Sequence, residues 1–251
     1  MIITANCVVK NEIYWFPYGL ASVLPHLDHV FITDTGSTDG TKEIIKDYFI
    51  PKFPNKITLI EKSPKSDNEF THNFTSYKNE LVQLSRDMKT DWMLCLDGDE
   101  VYYDFFFPQF KEKLETLDPI WRMIAVNTRY FITNLDYVFS LYTNFWHHRF
   151  FNLNKKGHWV LPYGDIDWGD PKSVQEERLT LEIIPNKIDM IHMSLVKRSP
   201  NDNQATARIR RQSKRQLMHT PMTHNFGLPE VLFDKELYEL TKNPFLKNKL
   251  Q

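Results

Sequence analysis

The first hundred residues alternate between short apolar runs and stretches in which apolar residues recur every three or four positions. The short runs predict β-strands, and the wider spacing predicts amphipathic helices. The predicted strands are Ile2–Val9, His29–Thr33, Ile57–Ile60 and Trp92–Leu96. The predicted helices are marked by Leu20 to Leu27, by Ile44 to Phe49 with Pro51 as the stop, and by Phe74 to Met88. Strands that alternate with helices predict an α/β fold with a mostly parallel sheet covered on both faces.

The second half of the chain is less regular. We predict a helix over Pro108–Leu117, a strand over Met123–Ile132, a strand pair within Leu179–Met193 and a closing helix over Pro229–Thr241. Phe145–Asp170 is rich in aromatic, histidine and acidic residues without clear periodicity, which indicates loops and short strands over a cleft. The basic run Lys197–Arg215 is predicted to lie on a helix from near Ala205. We divide this single domain into two halves, residues 1–120 and 121–251.

Composition narrows the class of protein. The 251 residues are 41% hydrophobic and 14% aromatic, so the chain can bury a full core and is not disordered. A net charge of −1 gives no general attraction to a polyanion. Cys7 and Cys95 both lie in apolar runs, which favours buried thiols and a reducing, cytoplasmic setting. We expect neither a signal peptide nor a membrane span. The alternative to a purely cytoplasmic location is peripheral contact with the inner membrane face.

Two carboxylates follow the apolar run that ends near Leu96. If strand geometry persists through Gly98, Asp97 and Asp99 lie on one face, about 6.6 Å apart. Two bare carboxylates at that distance repel by about 2.5 kcal/mol at an effective dielectric near 20. Hard oxygen donors on a short turn suit Mn²⁺ or Mg²⁺, which completes its coordination with water and substrate phosphates. The simpler interpretation is an acidic turn that faces water.

Four segments stand in a fixed order along the first half: Lys10-Asn11-Glu12, Asp34 to Thr41, Ser76 to Asn79 and Asp91 to Glu100. This ordered set resembles the motifs of family 2 glycosyltransferases with the GT-A fold, over about the first hundred residues. The resemblance implies a Rossmann-like sheet flanked by helices and a nucleoside-diphosphate sugar donor, with a UDP-sugar favoured. It also implies that the D-x-D carboxylates hold a cation on the diphosphate.

The resemblance places the donor-binding residues at the carboxyl ends of the strands and on one helix. They are Lys10, Asn11, Glu12, Asp34, Gly36, Ser37, Lys78, Asn79, Asp97, Gly98 and Asp99. The carboxylate of Asp34 can accept a hydrogen bond from an N–H of uracil, thymine or guanine. The competing interpretation is that Ser37, Thr38 and Asp39 only cap a helix. Lys78 stands where the family more often has arginine, a change that keeps the charge and loses the bidentate fork.

The second half resembles the family in fewer positions. Arg149-Phe150-Phe151, Asp165 and His192 follow the family order of an Arg-aromatic-Phe segment, a carboxylate and a histidine. The implied metal ligands are Asp97, Asp99 and His192. The implied reaction is a single inverting displacement in which a carboxylate removes the acceptor proton, with a retaining outcome as the alternative. Asp165 is the first candidate base and Asp167 the second, in a segment that lacks the usual His-Glu pair.

Candidate acceptor-binding residues also lie in the second half. Trp159, Tyr163 and Trp168 could stack on sugar rings, which would suit a saccharide or glycolipid acceptor, or they could be core packing. Arg208 and Arg211 belong to the basic run, which could hold an acidic glycan, a lipid headgroup or nucleic acid. A glycosyltransferase that acts on modified DNA bases is therefore an alternative, as is a basic run that is only a solvated helix face.

Two further classes of function remain as alternatives. Leu94–Val101 resembles the first motif of haloacid-dehalogenase-type phosphatases, in which the first Asp is the nucleophile and the second the general acid. In those enzymes the nucleophile strand normally lies near the start of the core, whereas three strand-and-helix units precede it here. The phosphatase would also leave Asp34 to Thr41 unexplained. A non-catalytic nucleotide-sugar-binding module is the other alternative, and the presence of both D-x-D carboxylates disfavours it.

Overall fold

The computed structural model describes residues 1–118, 123–132, 134–139, 145–155, 158–160, 165–167, 189–202, 219–221 and 227–250. The elements of the first half are β1 (Ile3–Val9), α1 (Phe16–Val23), β2 (His29–Asp34), α2 (Thr41–Ile44), α3 (Ile50–Lys52), β3 (Ile57–Glu61), α4 (Asp67–Asp87), β4 (Trp92–Cys95), β5 (Glu100–Tyr102) and α5 (Phe106–Glu115). Those of the second half are β6 (Met123–Ile132), β7 (Asn134–Phe139), β8 (Phe145–Asn152), β9 (His158–Val160), β10 (Asp165–Asp167), β11 (Met190–Leu195), β12 (His219–Pro221) and α6 (Lys235–Thr241).

The first half forms a parallel sheet in the order β3-β2-β1-β4, as the alternating pattern predicts. The register pairs Val9 at the end of β1 with Asp34 at the end of β2. It also pairs Asn6 of β1 with Cys95, the last residue of β4. The loops after these three strands therefore leave the sheet at one edge, where ligands bind in open α/β sheets.

The second half extends the same sheet with a different pattern of pairing. β4 pairs antiparallel with β8, and β8, β6, β7 and β12 follow in antiparallel order. β11 pairs parallel with β6 and antiparallel with the short β5. Among the described residues, ten strands form this mixed sheet, and β9 and β10 form a separate two-stranded one. The two halves of the chain thus share one sheet, in which β3, β2, β1 and β4 pair parallel and, in the second half, β11 pairs parallel with β6.

One prediction for the second half is wrong. Phe145–Asp170 was expected to form loops and short strands over a cleft, but its first eight residues form β8, which lies inside the sheet between β4 and β6. The strand lacks a simple alternation because Phe150 and Phe151 are both fully buried, whereas Arg149 before them carries a polar contact. The later strands β9 and β10 are short, three residues each.

The helices follow the predicted stretches with different ends. α4 begins at Asp67, well before the predicted marker Phe74, because the Ser66 side chain accepts a hydrogen bond from Glu69 N and caps it. The helix predicted to stop at Pro51 passes through a π-helical turn before α3, and this widening relieves the contact of the proline ring with the preceding turn. The closing helix over Pro229–Thr241 is divided into a 3-10 turn and α6 by the cap at Asp234.

Two other predictions fall largely outside the described residues. Of the predicted strand pair within Leu179–Met193, the structure describes one strand, β11, which continues to Leu195. The predicted helix from near Ala205 lies entirely in a part of the chain that is not described. No helix among the described residues is long and apolar enough to cross a membrane.

Aromatic side chains fill the core beneath the junction of the two halves. Tyr102 of β5, Phe106, Phe107 and Phe110 of α5, and Phe150 of β8 are completely buried. The rings of Phe110 and Phe150 lie 4.0 Å apart between centroids, so α5 packs directly on the extended part of the sheet. Such large apolar side chains contribute most of the burial free energy of a core, and here they hold β5 and β8 rigid.

Candidate active site

The loops after β1 and β2 brace each other at the carboxyl edge of the sheet. Asn11, which adopts a positive φ of 56°, donates its backbone N–H to Ser37 Oγ at 3.0 Å. Its side-chain oxygen accepts the N–H of Thr38 at 2.8 Å. Glu12 N donates to Thr41 Oγ1 at 2.9 Å, so the hydroxyl that begins α2 also holds the first loop. The predicted donor residues Asn11, Glu12 and Ser37 therefore form one rigid surface.

The two carboxylate oxygens of Asp34 have different surroundings. Its Oδ1 accepts the backbone N–H groups of Gly36 and Ser37, both at 2.9 Å, and this local turn uses Gly36 at a φ of 90°. Its Oδ2 is buried and has no hydrogen-bond partner among the described residues. Because a buried unpaired oxygen is unfavourable, this atom is suited to accept an N–H from a ligand. The N-cap of α2 is Gly40, and Ser37 Oγ accepts from Asn11 N and not from the helix. Of the predicted capping residues, Asp39 accepts an N–H at the start of α2, that of Thr41 at 3.0 Å.

The D-x-D segment is a turn and not a continued strand, so the conditional placement of both carboxylates on one face is wrong. β4 ends at Cys95, and Glu100 N donates to Asp97 O at 3.3 Å to close the turn. The Asp97 side chain is 39% exposed, whereas that of Asp99 is 4% exposed. A Cβ on Gly98 would lie 2.8 Å from Glu12 Cγ, so only glycine lets the first loop approach this closely.

Arg149 of β8 binds two of the acids. Its Nη2 lies 2.9 Å from Asp97 Oδ2, and its Nε donates to Glu100 Oε1 at 2.8 Å. Burial would raise the pKa of Asp97, but the charges of Arg149 and Lys78 outweigh it and lower that pKa. Burial dominates for Glu100 and raises its pKa against the charge of Arg149. Sequence reasoning matched Arg149 only as part of a motif and did not assign it to the site.

His192 and Arg198 approach Asp99 from the second half of the chain. His192 Nε2 lies 3.0 Å from Asp99 Oδ1. Arg198 Nη1 lies 3.5 Å from Asp99 Oδ2 and 2.6 Å from Glu12 Oε1. Burial opposes protonation of His192, but the carboxylates of Asp99 and Glu100 outweigh it and raise its pKa. The available sequence signal for Arg198 was the basic run Lys197–Arg215, but none of residues 197–202 was among the predicted site residues.

Two further side chains flank His192. Tyr130 of β6 stacks beside His192, with ring centroids 4.8 Å apart, and its hydroxyl lies 2.6 Å from His147 Nε2. Burial, followed by the charges of Arg149 and His192, lowers the pKa of His147 to about 3, so this imidazole is neutral. Neither Tyr130 nor His147 was a candidate from the sequence, because each lies on a strand that joins the site only through sheet pairing.

Lys78 and Asn79 lie on α4 beside the sheet. Lys78 Nζ is 3.7 Å from Cys95 Sγ and 4.8 Å from the centroid of the Phe74 ring. Burial would lower the pKa of Lys78, but Cys95 and Asp97 outweigh it and raise that pKa. Asn79 is half-buried on the same helix. Lys10, before the first loop, is also half-buried.

The predicted base and acceptor residues are less fully described. Asp165 and Asp167 lie on β10, opposite Val160 and His158 of β9. The backbone of Trp159 pairs with that of Ile166 in the same small sheet. The remaining acceptor candidates lie outside the described residues; they are Tyr163, Trp168, Arg208 and Arg211.

The donor atoms at this edge fit a divalent cation. One ligand atom each from Asp97, Glu100 and His192 lies within 4.8 Å of the others. Among the described residues this group contains two of the predicted ligands, Asp97 and His192, with Glu100 as its third member. The other predicted ligand, Asp99, contacts the group through His192, with its Oδ1 3.0 Å from Nε2. Carboxylate oxygens and an imidazole suit Mn²⁺ and Mg²⁺. Glu100 is the member that the sequence did not indicate, and its position next to the D-x-D was the available signal.

The family of this chain follows from its sequence match. The model of the family described as "Glycosyl transferase family 2" matches residues 7–166, which is well over half of the 251 residues. The chain belongs to this family. It is therefore a glycosyltransferase with the α/β sheet of the GT-A fold, as the ordered motifs predicted. No curated protein sequence matches the chain significantly.

Solved structures resemble this family 2 glycosyltransferase at low sequence identity. The mannosyltransferase PcManGT of Pyrobaculum calidifontis, solved with GDP-Man and Mn²⁺, is 13% identical over 98% of this chain and 70% of its own, with a TM-score of 0.49. Residues 1–349 of S. aureus TarS are 10% identical over 77% of this chain and 61% of that one, with a TM-score of 0.43. Against a longer TarS chain, the match covers 54% of this chain and 22% of that one.

A third structure is glucosyl-3-phosphoglycerate synthase of Mycobacterium tuberculosis, solved with Mn²⁺, UDP and glucosyl-3-phosphoglycerate. It is 15% identical over 52% of this family 2 chain and 44% of its own, with a TM-score of 0.35. Since these three TM-scores lie below 0.5, the fold assignment depends on the family match and on the strand order of the sheet.

Proposed function

We propose that this glycosyltransferase transfers a sugar from a nucleoside diphosphate to an acceptor hydroxyl with the help of a divalent cation. The observation that carries the proposal is the grouping of Asp97, Glu100 and His192 at the sheet edge where β1 and β2 also end, with Asp99 in contact with His192. Asp34, whose Oδ2 has no partner among the described residues, is the proposed contact to the base. A base with an N–H beside a carbonyl, as in uracil, thymine or guanine, complements it. A UDP-sugar is the first donor to test.

Mn²⁺ or Mg²⁺ is the proposed cofactor, held by Asp97, Asp99 and His192, with Glu100 as a further ligand. A bound cation would neutralise charge on the leaving diphosphate. Asp97 is the most exposed of these acids, which leaves a route for substrate to reach the cluster. The ammonium of Lys78 and the guanidinium of Arg149 add positive charge on the protein side of this position. Both groups would stabilise the diphosphate as its charge grows.

The remaining proposed donor residues determine the shape of the donor site. Lys10, Asn11 and Glu12 form the loop that meets Gly36 and Ser37, and Gly98 allows that loop to approach the D-x-D turn. Asn79 is a proposed contact to the diphosphate or sugar from α4. Residues 1–120 are the proposed donor half, and residues 121–251 the proposed acceptor half. Because Cys7 and Cys95 are free and buried, a reducing cytoplasmic setting is part of the proposal.

An inverting displacement onto a saccharide or glycolipid hydroxyl is the proposed reaction. Asp165 is the proposed base, with Asp167 second, and Trp159, Tyr163 and Trp168 are proposed to stack on the acceptor. Arg208 and Arg211 would bind an acidic part of it, and a modified DNA base is the alternative acceptor. The phosphatase alternative is set aside, because the chain belongs to a glycosyltransferase family. The remaining alternative, a non-catalytic module, would bind the nucleotide sugar without turnover, so an assay of turnover distinguishes it from the enzyme.

Thermal unfolding with UDP, dTDP, GDP, CDP and CMP, each with Mn²⁺ or with EDTA, tests the proposal. A nucleotide at a hundred times its dissociation constant adds about 2.7 kcal/mol to the free energy of unfolding. For a domain of this size, that corresponds to an increase in Tm of about 5 to 10 °C. We expect Mn²⁺-dependent stabilisation by UDP, dTDP or GDP that is lost in Asp99→Ala.

The matched control is Asp136→Ala, which removes an exposed carboxylate on β7 and should keep the nucleotide effect. Nucleotide stabilisation followed by Mn²⁺-dependent release of UDP from UDP-sugars distinguishes an enzyme from a binding module. The proposal fails if no nucleotide changes Tm in the presence of Mn²⁺. Equal stabilisation with EDTA would contradict the role assigned to the cation.

A further inference from the structure

The segment that follows β11, residues 197–202, folds back onto the loops after β1 and β2. Three hydrogen bonds hold it there: Tyr14 N to Arg198 O at 3.0 Å, Trp15 Nε1 to Lys197 O at 2.9 Å, and Asn201 Nδ2 to Thr38 Oγ1 at 3.2 Å. The segment also closes on itself, because Arg198 N donates to Asp202 Oδ2 at 3.0 Å. Its backbone is therefore fixed beside the proposed donor site.

The side chain of Arg198 bridges the two halves of that site. Its Nη1 lies 2.6 Å from Glu12 Oε1 and 3.5 Å from Asp99 Oδ2. Both carboxylates are nearly inaccessible to solvent, at 7% and 4% of their side-chain surface, whereas the arginine side chain is 30% exposed. Arginine is thus the partner that can leave this contact without leaving the surface of the protein. Its departure would remove the positive charge that these two buried acids share.

A cation on Asp99 and the guanidinium of Arg198 compete for the same carboxylate. Asp99 Oδ1 is already next to His192 Nε2 at 3.0 Å, and Asp99 Oδ2 is the oxygen that faces Arg198. A divalent cation coordinated by either oxygen would lie a few ångströms from the guanidinium and repel it. A cation at Asp99 therefore weakens the contact between Asp99 and Arg198.

We infer that Arg198 is an internal counter-ion of Glu12 and Asp99, and that it turns to the donor diphosphate when a cation binds at Asp99. This inference rests on the proposed function, because it assigns a diphosphate to the same site. A guanidinium forms bidentate hydrogen bonds with phosphate oxygens, and Arg198 is held at the correct edge by its backbone. Glu12 and Asp202 keep the guanidinium at this edge, and the diphosphate offers it a bidentate partner in place of Asp99.

Cooperative binding of the cation and the nucleotide follows from this exchange. The cation alone must displace Arg198 from Asp99, which weakens its binding. With a nucleoside diphosphate present, the displaced guanidinium binds phosphate, so each ligand increases the affinity for the other by the same factor. Removal of the charge at position 198 should therefore have opposite effects on the two ligands.

Titration of Mn²⁺ without nucleotide, followed by the electron paramagnetic resonance signal of the free ion, is the first test. Arg198→Gln keeps much of the side-chain length and removes the charge, so we expect Mn²⁺ to bind about tenfold more tightly than to wild type. Arg198→Lys keeps the charge and should bind Mn²⁺ as wild type does. Arg86→Gln is the control. Arg86 lies at the C-terminal end of α4, where it donates to the carbonyl oxygen of Lys155 and not to an acid of the site.

Calorimetric titration of UDP at saturating Mn²⁺ is the second test. We expect Arg198→Gln and Arg198→Lys to bind UDP about tenfold more weakly than wild type, because neither supplies the bidentate fork. The inference is overturned if folded Arg198→Gln binds Mn²⁺ no more tightly than wild type. If Arg198→Gln does not fold, Arg198→Lys decides, and UDP affinity equal to wild type would overturn the exchange. Failure of wild type to bind any nucleotide would instead contradict the proposed function, and the Mn²⁺ comparison would still decide the counter-ion role.

Discussion

Asp189, which immediately precedes β11, should make the protein less stable as the pH rises. Its carboxyl group is 1% exposed, and burial raises its pKa from 3.8 to about 7, although the hydrogen bond from Asn127 N opposes this. Its Oδ1 has no hydrogen-bond partner among the described residues. Between these two pKa values the folded state binds more protons than the unfolded state. The free energy of unfolding therefore falls with pH across that interval and levels off above about pH 7.

The magnitude follows from the two pKa values. A raised pKa of about three units corresponds to about 4 kcal/mol between the fully protonated and fully ionised limits. Between pH 5 and pH 8, this linkage removes about 2.5 kcal/mol from the free energy of unfolding. Asp189→Asn keeps an oxygen that can accept the N–H of Asn127 and does not titrate. The stability of this variant should therefore lack that part of the pH dependence.

Urea unfolding at pH 5, 6, 7 and 8, followed by tryptophan fluorescence, measures the difference. The m-value should stay constant, so a change in the midpoint reports stability alone. We expect Asp189→Asn to gain about 2.5 kcal/mol relative to wild type between pH 5 and pH 8. Asp87→Asn, at an exposed position on α4, is the control and should follow wild type. Parallel stability curves for wild type and Asp189→Asn would refute the raised pKa.

Two further predictions concern the elements that build the site. Gly19→Ala should destabilise the protein by about 1–3 kcal/mol or more in urea unfolding, although alanine is the better helix former, because the new Cβ would lie 2.3 Å from the carbonyl oxygen of Glu100. Unchanged or increased stability would show that α1 and β5 can separate without cost. The affinity for Mn²⁺ should rise with pH above 6.5, because the carboxylates of Asp99 and Glu100 hold a proton on His192 that a metal ion must displace. Calorimetry in two buffers of different ionisation enthalpy would detect the released proton, and a pH-independent affinity would contradict it.

The parallel half of the fold was predictable because its signals are local. Strand runs such as Ile57–Ile60 and the helical spacing after them report burial on a sheet or on one face of a helix, and neither depends on distant residues. Asp34 and Asp97 were placed at the correct edge for the same reason, since the ends of parallel strands coincide. The first half of the site was therefore accessible from order and spacing.

The partners of the acids were not predictable from local pattern. Arg149 and Arg198 reach Asp97 and Asp99 only because β8 and β11 join the sheet far along the chain from the D-x-D turn. From the sequence, the mutual repulsion of Asp97 and Asp99 indicated a bound cation and gave no sign of the two arginines. In the structure, Arg149 and Arg198 supply part of the positive charge beside these acids. Their pairing with the acids depends on tertiary contacts and not on periodicity.

The pairing of β11 determines where the chain can tolerate changes in length. Asp189 N donates to Asn127 O at one end of this strand, and Met193 N donates to Asp99 O at 2.8 Å near the other, so the position of His192 is fixed from both sides. A single inserted residue between these two anchors would move His192 to the opposite face of the strand. Insertions and deletions should therefore be excluded from residues 189–193. The exposed positions 247–249 should accept an insertion or a tag better, because Asn243 and Leu246 before them are still fully buried.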